Sequence, residues 1–252
     1  MTGRTLLNLA IGGLLSAVVS TAVLANDVQE TYLGKLEYQD QTITKATAQM
    51  LHRRMALQRA SQLVLWSLPI TSLYQAYEAQ KNNLRVDGRD PVIGLYQGYD
   101  SVYPFLTANV TTPYTVSMAD LSETGPLVVN IPAGGVYGVA NNAWQQPIKE
   151  INSGQQETLL FVGPGQEYPK DFKGEVIQSD TFIILYFYRV LGTGPEAEKL
   201  KTAVTAYKLV DANNPPKTRF ITFEPTQGEK VTLNTQPRDM RYWELVNDYV
   251  QK

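Results

Sequence analysis

The sequence predicts a mainly β fold: an antiparallel β-sandwich or jelly-roll-like domain preceded by an N-terminal helical segment. Three observations carry this. From residue 113 onward, short β-rich runs alternate with turn-formers: "PYTVSMADL" (113–121), "GPLVVNIP" (125–132), "GGVYGVAN" (134–141), "ETLLFVGPG" (157–165) and "KTRFITFEP" (217–225). Short strands punctuated by Gly, Pro, Asn and Asp favour packed antiparallel sheets. Between 44 and 68 the apolar residues instead recur at three- and four-residue spacing, which is helical. Within 175–192, the run "FIILYFY" (182–188) is apolar on both faces, the mark of a central strand.

Taken in order, residues 1–25 read as a signal peptide. Arg4 supplies a basic start, Leu6 to Val19 an apolar stretch, and "VLA" (23–25) small side chains ahead of a cleavage point. A single N-terminal membrane anchor is the other reading, against which Asn8, Gly12, Gly13 and Ser16 interrupt the apolar run. Residues 26–43 are polar and mixed, expected as a loose leader with an ordered turn at "TYLGKLEY". Residues 44–90 form the helical segment, in which Pro69 is expected to break one helix and start a second. Residues 91–252 form the sandwich domain, interrupted by helices near 195–209, where Pro195 and early acids give a start signal, and 238–250. In the latter, Tyr242, Trp243, Leu245, Val246, Tyr249 and Val250 make a wide apolar face that must be buried on the sandwich or on a partner.

Composition narrows the chemistry. The formal charge is −2, or −3 once Arg4 leaves with a signal, so no broad basic field for nucleic acid exists. No cysteine is present, so an exported chain would rest on its core rather than on disulfides. With one histidine and no cysteine, zinc sites of the usual ligand types are excluded, and no metal or other cofactor is expected. His52 lies beside Arg53 and Arg54 on the first helix, as a solvated face or a general base, and no "GxSxG" elbow accompanies it. "GTG" (192–194) reads as helix entry or as part of a phosphate loop, and "VGPGQEYPKDFKG" (162–174) as a strand connector or a backbone cradle. The 15 tyrosines serve as strand formers or stacking platforms.

Several motifs, in order, resemble the domain-of-unknown-function family DUF1254. They are an Asn-x-x-Thr-x-Tyr corner (Asn109, Thr112, Tyr114), "GPLVVNIP" (125–132), "VYGVANNAWQQP" (136–147), "LLFVGPG" (159–165), "FYRVLGTGPE" (187–196) and the closing "RDMRYWELVNDYV" (238–250). The resemblance covers about Ser61 to Tyr249 and implies an exported β-sandwich, usually joined to a C-terminal DUF1214-like domain, which the sequence lacks. In place of the family's glycine-rich segment stands "QQPIKEINSGQQET" (145–158).

The resulting expectation is a periplasmic or secreted soluble protein, with no membrane span after signal cleavage, acting as a small-ligand binding or interaction module. Its expected partners are a small molecule, a separately encoded DUF1214-like domain, or a second copy through the 238–250 helix. The alternative is a hydrolase-like enzyme. The expected ligand site is Asn109, Thr112, Tyr114, Trp144 and Arg189: amide, hydroxyl and guanidinium donors beside an indole, a set suited to a carboxylate or carbonyl but without a nucleophile–base pair.

Overall fold

The computed structural model describes residues 27–97, 105–108, 111–152 and 154–251. The signal-peptide reading of 1–25 and the corner residue Asn109 lie outside the described residues. The chain divides into two compact units, Met1–Leu63 and Val64–Lys252.

The first unit holds a three-stranded antiparallel meander of β1 (Val28–Thr31), β2 (Gly34–Gln39) and β3 (Thr42–Ile43), where a loose leader was expected. Local hydroxyl chemistry builds its first turn. Thr31 Oγ1 accepts from the Leu33 N–H and donates to the Gly34 carbonyl at 2.8 Å, a hydroxyl-fixed turn. Thr44 then caps the long helix α1 (Lys45–Leu84), accepting from the Thr47 N–H. Thr47 is itself buried and ties the helix start to β2, accepting from the Glu37 N–H at 2.9 Å.

Pro69 does not break α1, which runs through it as one 40-residue helix. Proline removes one ladder bond and crowds the preceding turn, but side chains gather on the carbonyls around it. Tyr242 donates to the Val64 carbonyl, Thr71 to that of Ser67, and Gln236 and Gln145 to those of Leu68 and Pro69. Three of these donors, Tyr242, Gln236 and Gln145, come from distant parts of the sequence and tie the helix to its neighbours around the proline.

The second unit is a β-sandwich. Its larger sheet has the order β13-β4-β5-β11-β7-β8 and its smaller one β10-β9-β6-β12. The strands are β4 (Val92–Tyr96), β5 (Tyr114–Asp120), β6 (Leu127–Ile131), β7 (Val136–Asn142), β8 (Pro147–Asn152), β9 (Glu157–Val162), β10 (Glu175–Gln178), β11 (Ile183–Val190), β12 (Thr205–Lys208) and β13 (Arg219–Thr222). The pairing is antiparallel except at two edges, β10 on β9 and β13 on β4, which are parallel. The expected all-antiparallel arrangement is corrected to that extent: both edge strands return after a connecting segment rather than a tight hairpin. The segment "QQPIKEINSGQQET" forms β8 and the start of β9, and β8 closes a hairpin with β7 across a bulge at Ala140/Asn141.

The core lies between the two sheets. Leu127, Val129 and Ile131 of β6 and Leu159 and Phe161 of β9 meet Ile184, Tyr186, Tyr188 and Val190 of β11. Each such side chain contributes about 1.5–3 kcal/mol on leaving water. The expected central strand is observed: β11 pairs with β5 on one side and β7 on the other. Its alternate residues Ile183, Leu185 and Phe187 pack on the opposite face, where the second half of α1 also lies. Helix α2 (Leu121–Thr124) follows β5 directly. Helix α3 spans only Pro195–Lys201, and half of the remainder of the expected 195–209 helix is β12, which extends the smaller sheet beside β6. Helix α4 (Arg241–Val250) buries Tyr242 and Val246, so its apolar face is docked within this unit. There the Tyr242 hydroxyl lies 2.8 Å from that of Ser67, and the Tyr249 ring meets Tyr74 edge-on at 5.9 Å. Among the described residues, no helix is long and apolar enough to cross a membrane.

Two predictions follow from this packing. At Gly138 a Cβ would run into the Phe187 carbonyl oxygen of the neighbouring strand. Gly138→Ala is therefore expected to destabilise the fold by several kcal/mol, roughly 2–4, in a urea titration; a change under about 0.5 kcal/mol refutes the close approach. Burial also raises the phenol pKa of Tyr77, Tyr96, Tyr186, Tyr188 and Tyr249. A raised folded pKa contributes stability that is whole below the unfolded value of about 10 and is lost as pH rises beyond it. Their tyrosinate absorbance should appear only together with loss of near-ultraviolet circular dichroism; full ionisation with intact structure refutes the prediction.

Candidate functional site

A cleft of about 340 Å³ opens on the outer face of the larger sheet. Its floor is a lane of cross-strand neighbours, Met118 opposite Leu185 and Val116 opposite Phe187, with Tyr114 next along β5. Side chains two residues apart on a strand share a face, so the lane follows directly from the alternation of β5 and β11. Leu73 and Ala76 of α1 and the loop 105–108 form the walls. Phe105 extends the aromatic surface, its ring centroid 4.9 Å from that of Tyr96 and 6.3 Å from that of Tyr114. The polar residues of the lining are Ser72, Thr107, Gln145 and Asn234. None of the described lining residues is charged.

The structure brings together some of the residues expected in the site and separates others. Tyr114 lines the cleft, and Arg189 is its register partner on β11, with the guanidinium carbon 5.6 Å from the Tyr114 ring centroid. Thr112 is half-buried in the bend that leads into β5. Trp144 lies elsewhere. It follows β7, whose Asn142 pairs with Ile184, so it sits roughly 17 Å along the strands from Arg189. There its ring packs on Trp66 at 4.8 Å, and its neighbour Gln145, rather than Trp144 itself, reaches the cleft.

Leu185, Phe187, Val116 and Met118 have no distinguishing mark in sequence, because an outer-face apolar residue has the same pattern as a core one. The available signal was β11 itself, apolar on both faces when only one can serve the sandwich core. Leu73, Ala76 and Asn234 reach the cleft through tertiary packing alone.

A second cavity, about 290 Å³, is lined by Asp120, Asp180, Thr181 and Tyr249 with Pro164, Phe182 and Ile183. Both carboxylates have structural work. Asp120, 1% exposed, caps α2 by accepting from the backbone N–H and hydroxyl of Ser122, and Asp180 accepts from Asn142 Nδ2 at 2.7 Å. Burial first, then the charges of Asp120 and Asp180, raise the Tyr249 phenol. The buried hydroxyls of Ser117 and Ser179 donate to the carbonyls of Val92 and Thr181, a use that does not prepare them as nucleophiles. His52 is exposed on α1 in the first unit. Among the described residues no cluster of acids and histidine could hold a metal ion.

Fold and cleft together define a class: a β-sandwich with an apolar, aromatic-lined cleft on the outer face of its larger sheet. Residues 98–211 match the model of the family described as "Protein of unknown function (DUF1254)", the family to which the ordered motifs pointed. That segment runs through β5 to β12 and holds Tyr114, Trp144 and Arg189. No curated protein matches. Among solved structures, the chain is similar to the VPA0106 protein from Vibrio parahaemolyticus at 12% identity with a TM-score of 0.44. That comparison covers 72% of this chain and 53% of the other, so the chain spans about half the length of that structure.

The capping role of Asp120 is checkable. Asp120→Ala should lower stability by about 1 kcal/mol or more, whereas Asp120→Asn, which keeps an acceptor, should lose less. Equal losses in urea unfolding would mean that the charge itself, not the cap, matters.

Proposed function

We propose that this chain is an exported binding module whose outer-face cleft takes up a small, largely apolar molecule. One observation carries the reading: a cleft of about 340 Å³ on the outer sheet face is lined mostly by apolar and aromatic side chains, and the polar residues among its described lining are neutral. Concave, mostly apolar sites with a few polar groups are the usual form of small-ligand pockets. Export rests on the N-terminal signal pattern and the cysteine-free composition.

The test uses Nile red, a neutral apolar dye that fluoresces when shielded from water. The wild-type chain should bind it, and Ala76→Phe, which fills the cleft from α1, should weaken binding several-fold without lowering the melting temperature. Unchanged binding in a folded Ala76→Phe chain, or no binding by the wild type, overturns the reading.

A further inference from the structure

The apolar lane has a polarity. Along β11 the outer-face residues run Leu185, Phe187, Arg189, and along β5 their partners run Met118, Val116, Tyr114. Two uncharged pairs are thus followed by a pair that contains a guanidinium, about 13 Å from Leu185 at the strand rise. Arg189 is half-buried. Its recorded contact is the Tyr114 ring, and no carboxylate among the described residues lies within ion-pair distance of it. On its other side its register partner is Tyr137 of β7, which is 45% exposed. Arg189 therefore stands between two tyrosines, partly withdrawn from water and with no ion-pair partner among the described residues. A guanidinium in that position gains from a planar anion that it can hold through two parallel hydrogen bonds. The polar residues of the described lining, among them Gln145 and Asn234, are neutral.

Resting on the binding reading above, we infer that the ligand is an amphipathic carboxylate. Its apolar body lies along Leu185, Met118, Phe187 and Val116, and its carboxylate meets Arg189 beside Tyr114. Size and shape come from the lane, and the sign of the head group comes from the Arg189 guanidinium. A neutral alcohol of the same length keeps the apolar contacts and loses the charge-assisted bonds, and an amine meets a like charge.

The experiment is calorimetric titration of the full chain with octanoate, octan-1-ol and octylammonium, for the wild type and for Arg189→Gln and Arg189→Lys. The wild type should bind octanoate about tenfold more tightly than octanol, an order typical of a charge-assisted pair, with octylammonium weakest. The octanoate-to-octanol ratio should fall towards one in Arg189→Gln and to an intermediate value in Arg189→Lys, which keeps the charge but loses the fork. Arg189→Lys also carries the test should the glutamine variant not fold. Equal octanoate and octanol binding in the wild type, or a ratio that survives both substitutions, overturns the carboxylate assignment and leaves the binding reading standing. Failure of all three ligands in a chain that still takes up Nile red does the same. Failure of Nile red as well overturns both.

Discussion

The structure of the second unit depends on β11 being the central strand of the larger sheet, apolar on both faces. Between β5 and β7 it satisfies its backbone groups through two antiparallel ladders, so neither edge is left to solvent. Its alternation then divides the molecule. Ile184, Tyr186, Tyr188 and Val190 enter the core shared with the smaller sheet, and Ile183, Leu185 and Phe187 face the other way. A slip of one residue would exchange the two sets. Gly138 fits this constraint: only a residue without a side chain lets β7 approach β11 that closely.

The outward set needs a cover, and the cover is uneven. Near Ile183 the second half of α1 and helix α4 close it, through Ile70, Leu73, Tyr77 and Tyr249. The Tyr242 hydroxyl contributes by bonding to α1 near Pro69, so the docking of α4 and the passage of α1 through a proline belong to one arrangement. Farther along β11, past Leu185 and Phe187, the cover is a loop rather than a helix, and the cleft is what remains. The proposed site is thus the part of a hydrophobic face that helices do not reach. Arg189 stands where that face passes from buried to wet.

Much of the architecture was legible in sequence because it rests on local rules. Strand alternation, turn-formers and the double-sided apolar run at 182–188 located the sandwich and its central strand. Two of the misreadings have one cause each. Pro69 was read by its intrinsic cost, whereas the helix around it is held by packing and by side-chain donors distant in sequence. Residues 26–43 were read by polarity, whereas a small meander held by Thr31 and Thr47 needs few apolar residues. Of the expected site, Tyr114 and Arg189 meet because strand register pairs them. Trp144 is carried to the other end of the sheet by the antiparallel direction of β7.

The sequence by itself determined the sandwich class with its central strand, the family resemblance over the segment that matches, and the absence of thiol chemistry and of the usual zinc ligands. These depend on side-chain type and short-range periodicity, which a linear string contains. Only the tertiary structure decided which apolar residues close a core and which line a cleft, since the two have the same pattern along a strand. It also decided that Arg189 meets the Tyr114 ring, because that depends on which strands are neighbours and in what register.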